Sequence, residues 1–457
     1  MKNRKMMRKK TAIFSDLRAI LRKERQRVLC SLLIAALVLL SGCTGLGASL
    51  ESLLSPPKLT EYQTAIYNAL IQSTGEQVEL TYPRSGDYRS AFVIYNLDDE
   101  PTSEAIVFYR LPETSQSEGG LRMSFLDQRD GQWFDLLDRP LTGREVESVS
   151  FSDFGMGIDI VVRCSVHSQS EQTVNVLSYD NGNVEELYRG SYVFYESLDM
   201  DSDGFNELFL INYDAALGYH TAHLLTYYDD EEGNTLFGAV STVPLNGDVV
   251  TVQRMNRQKL SENDFLVFLD YSKGSGIFGT QLLRCYGKNL TKIFSENMTR
   301  RNNIYTPTLY STDIDGDGRL EIPVTFPLPG YENLTVPEQI YTVEWYCADE
   351  ERDFTLIRKS SAYISAGLEY MFYIPVRWQG LVTVARSADT VSFVKYDDEA
   401  EQLLSVYVQS AGGTAPEGTG WRLYSQTDSL SIYINTYDGE DAMSLTEDEL
   451  QSCLMLL

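Results

Sequence analysis

Residue types that commonly build active sites are scarce in this sequence. The chain has 457 residues but only three histidines and six cysteines, and no two cysteines form a CxxC pair. It has no GxSxG or HExxH motif and no glycine loop that cradles a phosphate at the start of a helix. These absences argue against zinc-peptidase, serine-hydrolase and phosphate-loop chemistry. Carboxylate pairs for glycoside hydrolysis stay open, because 65 acidic residues would hide any pair.

Basic residues are also scarce beyond the first 42 positions. The whole chain carries 38 lysines and arginines against 65 acids, a net charge of −27. Residues 1–42 have eleven basic and two acidic residues, a net charge of +9, so the remainder carries −36. A body this acidic is repelled by nucleic-acid phosphates and attracts cations. We therefore expect no nucleic-acid partner, although the same charge would also keep a secreted domain in solution.

The first 43 residues have the order of a bacterial lipoprotein signal. A basic segment is followed by an apolar run, Val28–Leu40, of 13 residues, which is short for a membrane span. The run ends in LSGC (40–43), which resembles the lipoprotein box. The resemblance implies that Cys43 is acylated and becomes the first residue of the mature protein. An uncleaved anchor or an ordinary secretory signal is the alternative, and Met6 or Met7 is an alternative start.

This order predicts three segments. Residues 1–42 form the signal peptide, residues 43–58 a lipidated tether, and residues 59–457 the globular part. The lipid would hold the globular part on the extracytoplasmic face of the cell membrane. We expect the cysteines beyond the anchor to be buried free thiols, since each lies in or beside an apolar run, but four cysteines allow three disulfide pairings. They are Cys164, Cys285, Cys347 and Cys453.

Two markers recur along the globular part in similar phase. Acidic turns ahead of apolar runs begin at residues 96, 151, 198, 259 and 312, in steps of 55, 47, 61 and 53. Hairpin turns between apolar strands recur at residues 127–132, 179–183, 228–234, 286–289, 348–352 and 396–401. Two independent markers indicate a repeat of about four strands, the size of a propeller blade.

We therefore predict an all-β fold, a β-propeller of seven four-stranded blades, with six or eight as alternatives. The strands at 421–438 and the segment VELTYP (78–83) would together complete the last blade and close the ring. A short helix is expected before the blades, because Thr60 and Gln63 form a capping-box pattern. A second helix is expected over Thr446–Leu457. Two stacked β-sandwiches are the rival all-β arrangement.

Two of the acidic turns carry a regular set of carboxylates just before a strand. Acids occupy positions 1, 3, 5 and 9 around a glycine at position 6: Asp199, Asp201, Asp203 and Glu207 around Gly204, and Asp313, Asp315, Asp317 and Glu321 around Gly318. Carboxylates this close repel each other unless a cation neutralises them, and calcium accepts about six to eight oxygens in irregular shells. An EF-hand would carry an acid at position 12, where these turns have Leu210 and Val324. A solvated acidic turn without metal is the alternative.

Turns with D-x-D-x-D-G-x-x-[DE] before a strand resemble the FG-GAP/VCBS repeats of integrin-type β-propellers, which many bacterial surface lipoproteins carry. The resemblance covers most of residues 90–400, but only two copies match the metal motif well. It implies about two structural calcium ions. It also implies that Phe205 and Arg319, at position 7 of the two turns, each lend a backbone carbonyl to the ion.

The other candidate residues have simpler explanations. Three further acidic turns have lost the alternation and are expected to fold without ions: one keeps Asp98 and Asp99, one keeps Asp153 and Asp159, and the third is SEND (261–264). His220 and His223 lie in one predicted strand and point to opposite faces, so we expect ordinary strand histidines. Trp378 and Trp421 would either stack on a sugar or pack in the core.

The anchor, the structural ions and the missing catalytic motifs favour a binding or interaction module on the cell surface rather than an enzyme. Its ligand would be a protein or a glycan at that surface. A propeller-fold hydrolase or lyase acting on a glycan is the first alternative. A structural component of the envelope is the second.

Overall fold

The computed structural model describes residues 59–456, with gaps. The gaps are residues 99, 112–119, 167–171, 181, 294–297, 304–305, 366, 388, 398–399 and 437–441. The predicted signal peptide, the tether with Cys43, and Asp99 therefore lie outside the described residues. The chain divides into two compact units, Met1–Thr64 and Ala65–Leu457, and all of the sheets lie in the second unit.

The described residues contain two α-helices, α1 (Glu61–Thr74) and α2 (Glu447–Cys453), and two short 3₁₀ helices (Glu350–Arg352 and Val376–Trp378). The predicted capping box of α1 is confirmed, because the N–H of Gln63 donates to Thr60 Oγ1 and the N–H of Thr60 donates to Gln63 Oε1, both at 3.1 Å. Helix α2 has a capping box as well.

Strands dominate the second unit, and the first three sheets follow one another along the chain. Sheet 1 contains β1 to β5: Glu79–Leu80, Phe92–Tyr95, Glu104–Arg110, Leu121–Arg129 and Gln132–Pro140. Sheet 2 contains β6 to β9: Glu145–Asp153, Ile158–Ser165, Gln172–Asp180 and Asn183–Tyr192. Sheet 3 contains β10 to β13: Phe194–Leu198, Glu207–Asp214, Tyr219–Asp229 and Thr235–Pro244.

The next three sheets continue the series, and the last strand of the chain joins sheet 5. Sheet 4 contains β14 to β18: Thr251–Ser261, Asp264–Gly274, Ile277–Tyr286, Asn289–Ile293 and Thr299–Arg301. Sheet 5 contains β19 to β22 and β28: Ile322–Pro327, Tyr341–Asp349, Thr355–Ser365, Tyr370–Tyr373 and Leu454–Leu456. Sheet 6 contains β23 to β27: Val382–Ser387, Thr390–Lys395, Gln402–Ser410, Arg422–Gln426 and Leu430–Thr436.

The inner strands are buried on both faces, as β15 illustrates. Successive side chains of a strand point to opposite faces of its sheet. Val267 and Leu269 pack in a core shared with sheet 3, whereas Leu266 and Phe268 pack in a core shared with sheet 5. This is why the sequence here is apolar without interruption and shows no alternation with polar residues.

Each sheet packs on the next one along the chain through a shared apolar core. From the first pair of sheets to the last, the shared cores contain Phe125 and Val162, Val176 and Leu210, Phe209 and Leu283, Phe268 and Ile322, and Phe372 and Phe393. Antiparallel sheets of about four strands packed face to face in chain order are the blades of a propeller. The chain therefore has the all-β propeller fold that the repeats predicted. The described residues form six sheets, the smaller of the alternatives to seven.

The two ends of the chain do not share a blade, contrary to the prediction. Strand β1 pairs with β3 inside sheet 1, with Glu79 opposite Arg110. Strands β26 and β27 form a local hairpin inside sheet 6. Pairing within one sheet closes a much shorter stretch of chain than pairing the two ends of the protein, so it costs less chain entropy. In each sheet, the added strand also forms backbone hydrogen bonds along an edge that a strand from the other end of the chain was predicted to pair with.

The C-terminal helix is also shorter than the predicted Thr446–Leu457. It ends at Cys453, and Leu454–Leu456 pair with β22 as an edge strand of sheet 5. The apolar residues that looked like one face of a helix instead extend a sheet. Leu454 is buried in the core between sheets 5 and 6.

Candidate metal centre

Loop A (residues 199–207) connects β10 to the buried strand β11 at a fixed register. Leu198 pairs with Glu207 across the base of the loop. Gly204, at position 6, has a φ of 94°, which lies in the left-handed region that a side chain disfavours. The sequence pattern therefore requires glycine here for a tight turn, as predicted.

The aspartates of loop A converge. Asp199, Asp201 and Asp203 each present an oxygen atom within 4.8 Å of the others. The loop's own backbone holds two of these side chains, because the N–H of Gly204 donates to Asp199 Oδ2 at 3.1 Å and the N–H of Asp203 donates to Asp201 Oδ1 at 3.2 Å. Asp199 keeps a buried oxygen, Oδ1, that has no hydrogen-bond partner.

Glu207 is the most deeply placed acid of loop A. Its side chain is fully buried, Oε2 accepts from the N–H of Met200 at 2.7 Å, and Oε1 has no hydrogen-bond partner. Burial raises the pKa of this carboxyl to about 7, with Asp201 adding to the rise and the Met200 N–H opposing it. The nearest cation is the Lys288 ammonium, 3.7 Å from Glu207 and 3.2 Å from Asp203. Lys288 therefore pairs with two of the four carboxylates of the loop.

Loop B (residues 313–321) occupies the equivalent place in sheet 5. Thr312 pairs with Glu321 across its base, as an isolated bridge just before β19. Asp313, Asp315 and Glu321 each present an oxygen within 4.8 Å of the others. Hydrogen bonds from the loop's backbone N–H groups hold the pKa of Asp313 below its usual value.

Loop B differs from loop A because a lysine lies among its carboxylates. The Nζ atom of Lys359, on β21, lies 2.8 Å from Asp315, 2.6 Å from Asp317 and 2.9 Å from Glu321. Partial burial lowers the pKa of Lys359, but its hydrogen bonds to the three acids outweigh this and raise it overall. Both oxygens of Glu321 are occupied, since Oε2 accepts from the N–H of Ile314 at 2.9 Å.

The backbones of Phe205 and Arg319, which were predicted to lend carbonyls to an ion, close the ends of their turns. The N–H of Phe205 donates to Asp203 Oδ1, and that of Arg319 donates to Asp317 Oδ1, both at 2.9 Å. Each hydrogen bond closes the turn between positions 5 and 7 of its loop. That their carbonyls bind an ion stays a prediction.

The register of the two loops recurs in sheets where the metal motif is absent. In each of the first five sheets, an acid within one residue of the start of a strand pairs with a residue at or next to the end of the preceding segment. These acids are Glu104, Asp159, Glu207, Asp264 and Glu321. None is more than 6% exposed. The sequence analysis missed this shared feature, because the loops between the paired residues differ in length.

A buried carboxylate destabilises a fold unless a partner compensates it. Four of the five acids have such a neighbour: the Tyr227 hydroxyl 3.0 Å from Asp159, Lys288 3.7 Å from Glu207, Arg284 2.6 Å from Asp264, and Lys359 2.9 Å from Glu321. The basic partners lie 20 or more residues from the acids, Arg284 and Lys359 on other strands and Lys288 in the β16–β17 turn. In the turn SEND, for which no ion was predicted, Asp264 is paired with Arg284.

The histidines and cysteines in the described residues lie in ordinary strand environments. His223 bonds Thr242 Oγ1 through Nδ1 and Asn212 Oδ1 through Nε2, both at 3.0 Å, and burial lowers its pKa. His220, on the same strand, is buried. The four cysteines are free thiols, and three of them are buried: Cys164, Cys285 and Cys347, with Cys453 half-buried.

A cavity of about 380 Å³ is lined by residues of sheets 5 and 6 and of their connections. Its lining combines carboxylates, including Glu332 and Glu344, with the partly exposed ring of Tyr396. Trp378 also lines it but is fully buried, and its Nε1 donates to the Met443 carbonyl at 2.9 Å. Trp378 therefore packs in the core. It offers no exposed ring face to a sugar.

Comparisons with known proteins identify no family for this chain. No protein-family model and no curated protein matches the chain. The propeller domain of the Trilobed protease from Pyrococcus furiosus matches at 9% identity and a TM-score of 0.24, covering 70% of this chain and 91% of its own. An exo-β-1,3-galactanase from Phanerochaete chrysosporium matches at 10% identity and a TM-score of 0.23, covering 79% and 96%. TolB from Acinetobacter baumannii matches at 11% identity and a TM-score of 0.20, covering 64% and 61%.

TM-scores this low carry no argument about activity, and the propeller assignment depends on the six sheets themselves. Within residues 59–456, gaps aside, neither helix has the length and apolar character needed to cross a bilayer.

Proposed function

We propose that this chain is a calcium-stabilised β-propeller, held by a lipid on Cys43 at the extracytoplasmic face of the membrane, that binds a protein or glycan at the cell surface. The observation that carries the calcium part is Glu207. Its fully buried carboxyl has an oxygen that accepts no hydrogen bond, 3.7 Å from the Lys288 ammonium and close in sequence to three converging aspartates.

The chemistry of loop A fits a hard divalent cation. All the available donors are oxygens, and carboxylate oxygens suit calcium and magnesium rather than softer metals. Calcium tolerates irregular shells, whereas magnesium demands a near-ideal octahedron. The side chains of Asp199, Asp201, Asp203 and Glu207 would hold the ion, together with the Phe205 carbonyl. Lys288 lies at the rim and supplies only one positive charge against four negative ones.

Loop B has the same motif but already contains a cation of its own. Calcium there would have to displace the Lys359 ammonium from Asp315, Asp317 and Glu321. We therefore propose that loop A is the stronger calcium site. Loop B would bind calcium more weakly, through the same four acids and the Arg319 carbonyl.

Direct calcium binding tests this assignment. Isothermal titration of the full chain in detergent should detect a site with a Kd of about 0.1–1 mM, the range of extracellular calcium modules. Asp201→Asn should weaken that site at least tenfold. Asp214→Asn, at the other end of strand β11, is the matched control and should leave binding unchanged. Equal calcium binding by Asp201→Asn and the unaltered chain would contradict the assignment.

The anchor has a separate test in cells. The sequence order of basic segment, apolar run and LSGC supports acylation of Cys43. Radioactive palmitate should label the unaltered chain and the Cys30→Ser variant but not Cys43→Ser. Cys30 is a suitable control because it lies in the same N-terminal segment but outside the LSGC motif. Equal labelling of the Cys43→Ser variant would rule out this anchor.

A glycan hydrolase or lyase is the second candidate function. One observation favours it, the cavity that contains Glu332 and Glu344, since two carboxylates suffice for glycoside cleavage. Both acids already have partners, because the N–H of Gly330 donates to Glu332 at 2.8 Å and Arg358 donates to Glu344 at 2.8 Å. Cleavage of a surface glycan that Glu332→Gln or Glu344→Gln abolishes, without loss of thermal stability, would favour the enzyme over the binding module.

A further inference from the structure

We propose that the cavity between sheets 5 and 6 binds a pyranose ring of a non-acidic glycan, packed against the side chain of Tyr396. The inference rests on the surface-binding function proposed above and names its site and its class of ligand. The described residues of loops A and B do not line this cavity. The hydrolase alternative needs two acids there to act on the sugar, whereas binding needs a surface that fits the sugar and holds its hydroxyl groups.

The cavity has the size of a small-ligand site. Its volume of about 380 Å³ lies within the roughly 300–1,000 Å³ typical of such sites. Pro327 and Pro329 line it from the end of β19, and Gln379 and Gly380 line it from the segment before β23. The Thr383 hydroxyl donates to the Pro329 carbonyl at 2.6 Å and joins the two sides. A compact cavity accepts one or two sugar rings, whereas an extended peptide needs a long groove or a free sheet edge.

Tyr396 provides an aromatic surface at the cavity. The residue is 54% exposed although it lines the cavity. A Cβ atom at Gly330 would lie 2.9 Å from a carbon of the Tyr396 ring, so the ring packs directly on the backbone of this glycine. Gly330 has a φ of 88°, which glycine adopts without strain. The ring is therefore supported on one side and exposed elsewhere, which suits packing against the C–H groups of a pyranose.

Polar groups beside this ring can hold the hydroxyl groups of a sugar. The Gln379 carboxamide carries donors and an acceptor, and the Tyr396 hydroxyl carries one donor. Neither group forms a hydrogen bond within the part of the chain that the structure describes. The exposed carboxylate of Glu332 is held in place at Oε2, which accepts from the N–H of Gly330 at 2.8 Å. The cavity thus combines an aromatic face with donors and acceptors, as a sugar site requires.

The charges at the cavity favour a non-acidic sugar. Its described lining residues include Glu332 and Glu344 but no lysine, arginine or histidine. Glu344 is compensated by Arg358, which donates to Oε1 at 2.8 Å, and by the Tyr346 hydroxyl, which donates to Oε2. Glu332 would repel a sugar carboxylate, accept a hydrogen bond from a neutral sugar, and form a charge-assisted hydrogen bond with an amino sugar. The same carboxylate would attract lysine, so a basic peptide is the competing class of ligand.

Ligand-observed NMR titration of the full chain in detergent tests the site. The probes are neutral disaccharides of glucose, galactose and N-acetylglucosamine, a glucosamine disaccharide, digalacturonic acid and oligolysine. At least one non-acidic sugar should bind, and digalacturonic acid should bind at least threefold more weakly. Tyr396→Ala and Gln379→Ala should each weaken sugar binding at least threefold, whereas Tyr396→Phe should keep most of it because the ring remains. Tyr82→Ala, which removes another tyrosine that is 51% exposed, is the matched control and should change nothing.

The proposal is overturned if none of these sugars binds, or if Tyr396→Ala and Gln379→Ala bind them as tightly as the unaltered chain. Oligolysine binding that Tyr396→Ala abolishes, without binding of any sugar, would assign the cavity to a basic peptide and also overturn it. Retention of the chain by isolated cell envelopes tests the surface-binding function separately. Retention without variant-sensitive sugar binding would overturn the cavity site alone. Variant-sensitive sugar binding without retention would overturn the surface-binding function alone.

Discussion

At the scale of single residues, Lys359 separates two loops that have the same sequence motif. Its ammonium contacts three carboxylates of loop B within 3 Å. Lys288, which lies outside loop A, approaches only Asp203 and Glu207, at 3.2 and 3.7 Å. A motif search cannot detect this difference, because Lys359 lies 38 residues beyond Glu321 and on another strand. The sequence predicted where the acids converge. It did not predict what already neutralises them.

The Lys359→Met variant should bind calcium at loop B at least tenfold more tightly, because the ion no longer competes with an ammonium. In chelator the same variant should lose about 1–3 kcal/mol of unfolding free energy, since its carboxylates lose their charged partner. Calorimetric titration and chemical denaturation measure the two effects. Lys292→Met, at an exposed position on β17, is the control. Unchanged calcium affinity in the Lys359 variant would show that the lysine does not occupy the ion position.

Asp159 should make stability depend on pH. Burial raises its pKa to about 7, although the Tyr227 hydroxyl donates to it and opposes the rise. A carboxyl with a raised pKa holds its proton more tightly in the folded state, so its contribution is fully present below about pH 4 and is lost as pH rises toward 7. In chemical denaturation, the unfolding free energy of Asp159→Asn should fall less steeply between pH 4 and 7 than that of the unaltered chain. The exposed Asp428→Asn should keep the original slope, and an unchanged slope in Asp159→Asn would contradict this role.

At the scale of elements, the strands and hairpins were the most predictable part of the fold. All six predicted hairpin turns lie between adjacent antiparallel strands. Turn residues and apolar runs are local signals, so a single sequence contains them. Strand β28 was missed because three residues carry no period, and its pairing with β22 is a contact with a distant part of the chain. The pairing of β1 could not be predicted for the same reason. The segment that contains it was predicted to share a blade with the strands at 421–438, but β1 pairs with β3.

An ion pair joins helix α2 to the 3₁₀ helix Val376–Trp378. Arg377 donates to both oxygens of Glu449, at 2.5 and 2.8 Å, and holds the pKa of Glu449 at about 2. Because this pKa is depressed, the stabilisation is present above about pH 4.5 and is lost as pH falls toward 2. Glu449→Gln should cost roughly 1 kcal/mol at pH 7, since the pair is partly exposed and screened by solvent.

Asp448→Asn is the matched control for this pair, because Asp448 lies in the same first turn and shares the helix-dipole benefit. Thermal denaturation at pH 7 and pH 3 should separate Glu449→Gln from the control at pH 7 and bring the two closer together at pH 3. Equal stability of the two variants at pH 7 would show that the Arg377 contact does not stabilise the C-terminal segment.

At the scale of the whole molecule, the repeat in the sequence predicted the propeller, whereas the blade count depended on how the two ends pair. Each sheet shares its core with the next sheet in the chain, so the fold depends on many interfaces of similar kind. Loops A and B lie at the entries to strands of sheets 3 and 5. Under our proposal, an ion in loop A or loop B would hold the carboxylate at the start of a buried strand and would thereby stabilise the cores on both faces of that strand.

The melting temperature of the full chain in calcium and in chelator tests the central claim most directly. With a Kd of about 0.1 mM and about 1 mM calcium, a single site should add about 1.4 kcal/mol of unfolding free energy. The unaltered chain should therefore melt a few degrees higher in calcium than in chelator, magnesium should give a smaller shift, and Asp201→Asn should lose most of the calcium effect. Identical melting temperatures in calcium and in chelator would contradict the claim that calcium stabilises this propeller.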